Sequence, residues 1–371
     1  MKWLIPLAIW IIALAVIHTG IRPYEGGDGR LEMWRAMNTI EYGWIPTDKD
    51  YNNTSVALNI VAPSVSVASK LSIKNVFRDV FPLMYALTPV GLYFLFRRVM
   101  SQGKAALSAL FFIVLPPSYQ EIPNIAKSMI AEPLAVGSLL VMTSGIRSWG
   151  KGTLGVLLSW LALMAHYTVG IFGLMWLGIA AIMNRQKVWL AVAIIGVVFA
   201  IGYFSYVGSG AVINGIVGWD VLGGNTNDNV AHALDGKPFV TYNGATDKLP
   251  EYKDILWYYP LSLPFAVPSW VMSLVTRLAI AVLFSGGIWW ATHREYMVKH
   301  KELSAMIAFS AVLVICAMYT PFLTSGLYLS RWVQLAAIPM SGLYGMGTHW
   351  AKPKYSYTVA GIILLLLLVV R

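Results

Sequence analysis

The sequence predicts an all-α polytopic membrane protein, a bundle of about eleven transmembrane helices with a juxtamembrane helix in its first outer loop. Three observations predict it. Hydrophobic residues make up 57% of the 371-residue chain and charged residues 12%, too little charge to cover a water-soluble domain of this length. Apolar runs approaching the ~20 residues that a bilayer core demands recur along the whole chain. Lysines and arginines gather in short loops between alternate runs, the pattern that orients membrane proteins.

The runs fall at 3–20, 80–96, 105–118, 129–146, 153–166, 168–183, 188–206, 270–290, 303–321, 331–347 and 355–370. The first follows Lys2 and carries no small-x-small cleavage site before the polar residues at 21–25, so it reads as a retained helix and not as a signal peptide. The stretch 153–183 is too long for one span and is divided at His166-Tyr167-Thr168, its polar cluster. There is no internal repeat and no low-complexity tract, and residues 1–371 read as one transmembrane domain.

Arg97, Arg98 and Lys104, Arg147 and Lys151, Arg185 and Lys187, Arg294, Lys299 and Lys301, and Lys352 and Lys354 mark alternate loops. These loops share one side, which the positive-inside rule makes cytoplasmic. Of the acidic residues only Glu295 and Glu302 join them; the others fall in or beside loops of the opposite face. The formal charge of +10 is therefore carried by loop cations. No basic run has an RNA- or DNA-binding pattern, so nucleic acid is not an expected partner. The lone Cys316 excludes an intramolecular disulfide.

Two outer segments, 21–79 and 207–269, exceed simple connectors. In the first, Leu31, Trp34 and Met37 recur at helical spacing with charges between them, the signature of an interfacial amphipathic helix. It also holds overlapping sequons at Asn52 and Asn53. The second is rich in Gly, Asn and Asp before Trp257-Tyr258-Tyr259-Pro260, and suits a lid over the membrane surface.

Asp28 ranks first among residues able to carry chemistry. It follows Gly26-Gly27 just after the first helix, where it can cap the amphipathic helix or act as a surface carboxylate that takes a proton or binds a metal. Glu132 stands near a helix start, where the dipole suits a carboxylate. Glu121 reads either as a solvated loop residue or, with His166, as a possible metal ligand. His166 at its helix end reads equally as an interfacial histidine or a phosphate contact. Arg331 opens an apolar helix, a position for snorkelling or for gripping a lipid phosphate through paired donors. Arg277 lies about seven residues into its helix, a depth at which charge usually faces a cavity or partner. Tyr258 can stack on a sugar or prenyl chain. The placement brings Asp28, Glu121, Glu132, His166 and Arg331 to the same membrane face.

Asp28, followed by Glu32 and Ala36 on one helix and then Tyr42-Gly43-Trp44, resembles the first outer loop of GT-C glycosyltransferases. These are membrane enzymes such as protein O-mannosyltransferases and lipid A aminoarabinose transferases. The segment Ile125-Ala126-Lys127-Ser128-Met129-Ile130-Ala131-Glu132-Pro133-Leu134 is similar to the GT-C segment at the outer end of the fourth helix. Leu329-Ser330-Arg331-Trp332 with Ile338-Pro339 is similar to a late GT-C helix, and His166-Tyr167-Thr168 to a GT-C His-Tyr-Ser/Thr pattern. The resemblance implies a GT-C bundle in the plasma membrane with its active site facing outside. It implies sugar transfer from a polyprenyl-phosphate-linked donor to a protein, lipid or glycan acceptor, with inversion at the anomeric carbon. Asp28 becomes the general base. Glu32, Glu132, His166, Arg277, Arg331 and Tyr258 become substrate-binding residues, and a divalent cation is possible but not demanded. Many members have Asp-Glu where this chain has Asp28-Gly29, so the second carboxylate falls to Glu32, one turn along. Two other functions fit the same residues: a transporter or flippase for a lipid-linked or anionic substrate, and a non-catalytic scaffold subunit.

Overall fold

A computed structural model describes residues 3–20, 27–43, 55–115, 118, 122, 125–144, 149–207, 239–240, 246–247, 269–319, 329–350 and 352–369. These residues are almost entirely helical. In chain order the helices are α1 (Leu4–Gly20), α2 (Gly27–Tyr42), a π-helical turn (Ala57–Val61) running into α3 (Ala62–Ser69), and α4 (Ile73–Arg97). Then come α5 (Gln102–Val114), α6 (Ala126–Thr143), α7 (Trp149–Ala165), α8 (Tyr167–Met183) and α9 (Lys187–Val207). The chain closes with α10 (Ser269–Thr292), α11 (Arg294–Lys299), α12 (Lys301–Tyr319), α13 (Leu329–Met340), α14 (Gly342–Met346), a 3₁₀ turn (Gly347–Trp350) and α15 (Pro353–Val369). The only described part of 207–269 beyond α9 and the first residue of α10 is a two-residue antiparallel pairing, Phe239–Val240 with Thr246–Asp247. The lid expected there, with Tyr258, lies outside the described residues.

Each of the eleven apolar runs overlaps a helix among the described residues. Among the described residues three helical stretches are long and apolar enough to cross a membrane: Ile73–Arg97, Ala126–Thr143 and Leu274–Thr292. The outer faces are apolar as well: Leu4, Leu7 and Ile11 on α1, Ile194, Ile195 and Val198 on α9, and Phe284 and Ile288 on α10 are all exposed. Contiguous exposed apolar surface of this kind marks contact with a membrane or another protein.

Two departures from the sequence reading concern the first outer segment. The helix expected from residue 80 begins at Ile73, because the charges that end the apolar run neutralise each other. Arg78 grips Asp79 through two bonds of 2.8 Å on the exposed face, so the helix continues through them. The stretch Ala57–Ser69 is also helical. At thirteen residues it rises only ~20 Å, too short to register as a span. It ends at Lys70, whose left-handed φ of 60° closes the helix as a C-terminal cap.

The central core is the α6–α7–α8 layer, with α4 and α5 on one flank. Small polar residues let α6 and α7 approach: the Ser138 hydroxyl donates to the Gly155 carbonyl at 2.8 Å and lies 2.8 Å from the Ser159 hydroxyl. The elbow between α7 and α8 falls at His166, the division point read from the sequence. Gly170 makes that elbow possible, because a Cβ there would overlap the Leu163 backbone.

Cross-loop bonds define one end of the bundle. Arg98 bonds the Leu140 carbonyl near the end of α6, and the Tyr296 hydroxyl bonds the Val99 carbonyl at 3.0 Å. Lys151 Nζ reaches the Ser144 carbonyl at 3.3 Å, and Lys301 Nζ the Met183 carbonyl at 2.6 Å. The Ser101 and Tyr357 hydroxyls meet at 2.8 Å. The five basic loops read as sharing a side are thus gathered at one end. Glu32, the start of α6 and the α7–α8 elbow occupy the other.

The short α14 is held from three sides. Tyr344 stacks on Phe111 of α5 with centroids 4.5 Å apart and bonds the Ala360 carbonyl of α15 at 3.0 Å. On the third side a Cβ on Gly286 of α10 would overlap the Leu343 carbonyl, whereas Gly287 beside it faces open space. Gly286→Ala should therefore destabilise the protein by about 1–3 kcal/mol through overpacking. Gly287→Ala should be neutral or stabilise by up to ~1 kcal/mol as a helix-propensity gain. Thermal unfolding of the two variants in detergent checks the contrast, and equal melting shifts would refute the close approach.

Candidate functional site

The site begins with the distribution of residues on α2. Its apolar side chains Trp34, Met37 and Ile40 are 56%, 52% and 45% exposed, while Glu32 and Ala36 are wholly buried and Arg35 nearly so. The helix has the expected amphipathic spacing, and it turns its charged stripe inward and its apolar stripe outward. In water that orientation is unfavourable on both faces. At a membrane surface the outer face is solvated by lipid and the inner one faces a polar site.

Glu32 meets the start of α6. Its Oε1 lies 3.1 Å from Lys127 Nζ, and its Oε2 accepts from the Lys127 backbone N–H at 3.4 Å. The N-cap residue of α6, Ile125, supplies no side-chain cap. The first N–H groups of a helix need acceptors, and its positive dipole end favours a carboxylate. Glu32 supplies both from a different helix. Lys127 and Glu32 are 4% and 0% exposed. A pair this deep repays its desolvation only with good geometry and added hydrogen bonds.

A second set of bonds carries α2 to the α7–α8 elbow. The Thr39 hydroxyl contacts the Arg35 carbonyl at 3.1 Å and donates to Asn59 Oδ1 at 3.0 Å. Asn59 Nδ2 donates to the Ser55 carbonyl at 2.9 Å, and the Ser55 hydroxyl to the Ala165 carbonyl at 2.7 Å. Asn59 lies in the π-helical turn, a local widening that is frequent at functional sites. His166 follows Ala165 directly, is 3% exposed, and stacks on Tyr167 at 5.3 Å.

Five residues beyond Lys127, ~7.5 Å further along α6, Glu132 is fully buried. The helix starts at Ala126, so Glu132 stands in the second turn, beyond the first-turn dipole position that the sequence suggested. Its partners are uncharged: Gln334 Nε2 of α13 donates to Glu132 Oε1 at 2.8 Å and to the Tyr85 hydroxyl of α4 at 3.2 Å. Arg331 occupies the helical position one turn before Gln334. Its side chain, like that of Asp28, lies outside the described set, as does Glu121. Helix α2 begins at Gly27, so Asp28 falls in its first turn, one turn before Glu32.

The structure thus brings Glu32 and Glu132 to α6, places His166 beside the Ala165 carbonyl that ends the chain of bonds from α2, and adds Lys127, Arg35, Asn59, Tyr85 and Gln334, which the sequence did not single out. Arg35 carries a legible signal, standing three residues after Glu32 on the face opposite Trp34. Lys127, Tyr85 and Gln334 carry none, since the contacts that bring them to the site join residues far apart in sequence: Lys127 to Glu32 across 95 positions, and Gln334 to Glu132 and Tyr85 across 202 and 249. Arg277 is not part of this seam. It is exposed on α10 between Leu274 and Leu278, also exposed, while Val275, Thr276 and Ala279 form the buried face. That is a snorkelling position.

Comparison with protein-family models, with curated proteins and with solved structures finds no match for this chain. The site is accordingly interpreted from its own chemistry. Among the described residues no three His, Cys, Asp or Glu side chains gather as a metal centre. The Lys127 ammonium already holds the position against Glu32 that a cation would take.

Removing one partner of a buried pair leaves an uncompensated charge. Lys127→Met should destabilise the fold by about 3–5 kcal/mol, and Glu32→Gln added to it should recover part of the loss. Denaturation of the single and double variants measures this, and additive losses would show that the two side chains are not coupled.

Proposed function

We propose that the chain is a GT-C-type membrane glycosyltransferase spanning the bilayer about eleven times. It moves a sugar from a polyprenyl-phosphate donor to a protein, lipid or glycan acceptor at the outer face of the plasma membrane. The observation that carries this reading is the inverted α2: Trp34, Met37 and Ile40 are exposed while Glu32 and Arg35 are buried in the seam, which supports a helix lying at the membrane surface. That arrangement suits a substrate whose tail stays in the membrane while its polar head enters the protein.

In the proposed reaction the acceptor hydroxyl oxygen attacks the anomeric carbon and its proton passes to the Asp28 carboxylate. The bond between the anomeric carbon and the phosphate oxygen breaks, and polyprenyl phosphate departs with the electron pair. Arg331 holds that phosphate through its planar fork. Glu32, committed to Lys127, is a positioning residue that fixes α2, and hence Asp28, against α6. The phosphate is a good leaving group, so base, clamp and orientation supply the main catalytic terms.

One observation favours the transporter reading. Glu132 lies inside a stretch long enough to cross a membrane, with only uncharged partners, as carboxylates on transport paths do. The two readings separate on Asp28. Asparagine caps a helix about as well as aspartate but cannot take the proton. With purified protein and a polyprenyl-phosphate sugar, Asp28→Asn should lower transfer by about 10²–10⁴-fold at unchanged thermal stability. Arg331→Lys should also lose most of the activity although its charge is kept. An asparagine variant within about threefold of wild type would remove Asp28 from the chemistry, and no transfer by the wild type would return the transporter to first place.

A further inference from the structure

The basic end of the bundle holds a cleft of about 190 Å³ lined by Leu95, Arg98, Val99, Thr143, His300, Glu302 and Leu303. It lies between the C-terminal ends of α4 and α6 and the start of α12. Along α6, Thr143 stands ~24 Å from Lys127, so the cleft is separate from the seam described above.

Arg98 and Glu302 face this cleft with opposite charges, yet they are not within ion-pair distance of each other. Among the described residues neither has any ion-pair partner. Arg98 is anchored through one nitrogen only: Nη1 bonds the Leu140 carbonyl and, at 3.3 Å, the Thr143 hydroxyl. Among the described residues its Nε and Nη2 bond no protein group, which leaves guanidinium donors for an oxyanion. The Glu302 carboxylate likewise makes no hydrogen bond to the described residues. His300 adds a ring to the lining; burial, reinforced by the neighbouring Lys299 and opposed by Glu302, holds its imidazole below the ordinary value. The roof is fixed by Tyr296, whose ring packs on His300 at 4.8 Å while its hydroxyl bonds the Val99 carbonyl.

A cleft with one unpaired cation and one unpaired anion fits a ligand carrying both signs. We propose that it binds an aminoalkyl phosphate, the zwitterionic headgroup of a phosphatidylethanolamine-type lipid or the same group free in solution, with the phosphate on Arg98 and Thr143 and the ammonium on Glu302. A surface that merely attracted anionic lipid would need no acidic residue in its lining. The charged lining therefore predicts selectivity for the zwitterion over an anion, beyond the general attraction of basic loops for anionic membranes. This assignment does not rest on the glycosyltransferase reading, and neither outcome of its test bears on sugar transfer.

The test uses full-length protein, delipidated in detergent, with lipid retention read by native mass spectrometry. The probes are phosphatidylethanolamine, phosphatidylglycerol of the same acyl chains, and soluble O-phosphoethanolamine as competitor. Wild type should retain phosphatidylethanolamine in preference to phosphatidylglycerol. Arg98→Gln should weaken that retention by about tenfold, the loss of one charge-assisted contact. Glu302→Gln should reverse the preference toward phosphatidylglycerol. Circular dichroism and elution volume verify that both variants fold; Glu302, with no partner to lose, keeps the test open if Arg98→Gln does not. Displacement of the lipid by millimolar O-phosphoethanolamine would assign the headgroup alone as ligand, and its failure to displace would assign the intact lipid. Equal or better retention of phosphatidylglycerol by wild type, or an unchanged preference in Glu302→Gln, overturns the proposal.

Discussion

Two full charges taken out of water at the start of α6 set the terms for everything around them. Glu32 and Lys127 lie 3.1 Å apart there, and the carboxylate also accepts a backbone N–H from a helix start that lacks its own cap, so each offsets part of the other's desolvation. That contact fixes the rotation of α2 about its axis. Once Glu32 points inward, Arg35, Ala36 and Thr39 follow at helical spacing, and Trp34, Met37 and Ile40 are forced outward. The outward face is apolar, so the contact at Lys127 ties the buried seam to the exposed apolar stripe of α2.

From this anchor the order propagates through hydrogen bonds and not through apolar packing alone. Thr39, Asn59 and Ser55 carry the register of α2 to the Ala165 carbonyl, and so to the elbow that presents His166. Deeper along α6, the Gln334 amide spans Glu132 and Tyr85 and brings α13 against α4 and α6. Buried polar groups of this kind are costly if left unmatched, which gives the layered arrangement its specificity. The position of Arg331 one turn before Gln334 is inherited from that same contact.

The two ends of the bundle differ in chemistry as they differ in charge. At the basic end lysines and arginines donate to carbonyls that end the neighbouring helices, as Arg98 does to Leu140 and Lys301 to Met183. They thereby satisfy acceptors that a helix terminus leaves open, with the favourable sign for the dipole. At the other end Glu32 meets the start of α6, again with the sign that suits the dipole. At the cleft of Arg98, His300 and Glu302 the pattern changes: Glu302 stands beside Arg98 with no ion-pair partner among the described residues.

Local features of the chain located most of the helices but not Ala57–Ser69, which was read as part of an outer loop. Run length placed all eleven apolar segments, the polar cluster at His166 placed the α7–α8 elbow, and the spacing of Leu31, Trp34 and Met37 placed α2. The start of α4 was misplaced by seven residues because a window of hydropathy counts Arg78 and Asp79 as two charges, whereas in three dimensions they cancel. Of the candidate site, Glu132 and His166 were legible as polar residues beside apolar runs, and Glu32 through its place one turn after Asp28 on the amphipathic helix. Lys127, Tyr85 and Gln334 were not, and the exposed position of Arg277 could not be told from a buried one. The sequence by itself determined where most of the helices lie, which ends carry which charge, and which carboxylates lie beside apolar runs, because those properties depend on neighbours a few positions away. Only the tertiary structure decided which carboxylate meets a cation and which meets an amide, because such pairings join residues 95 to 202 positions apart and are selected by the requirement that every charge removed from water find a partner.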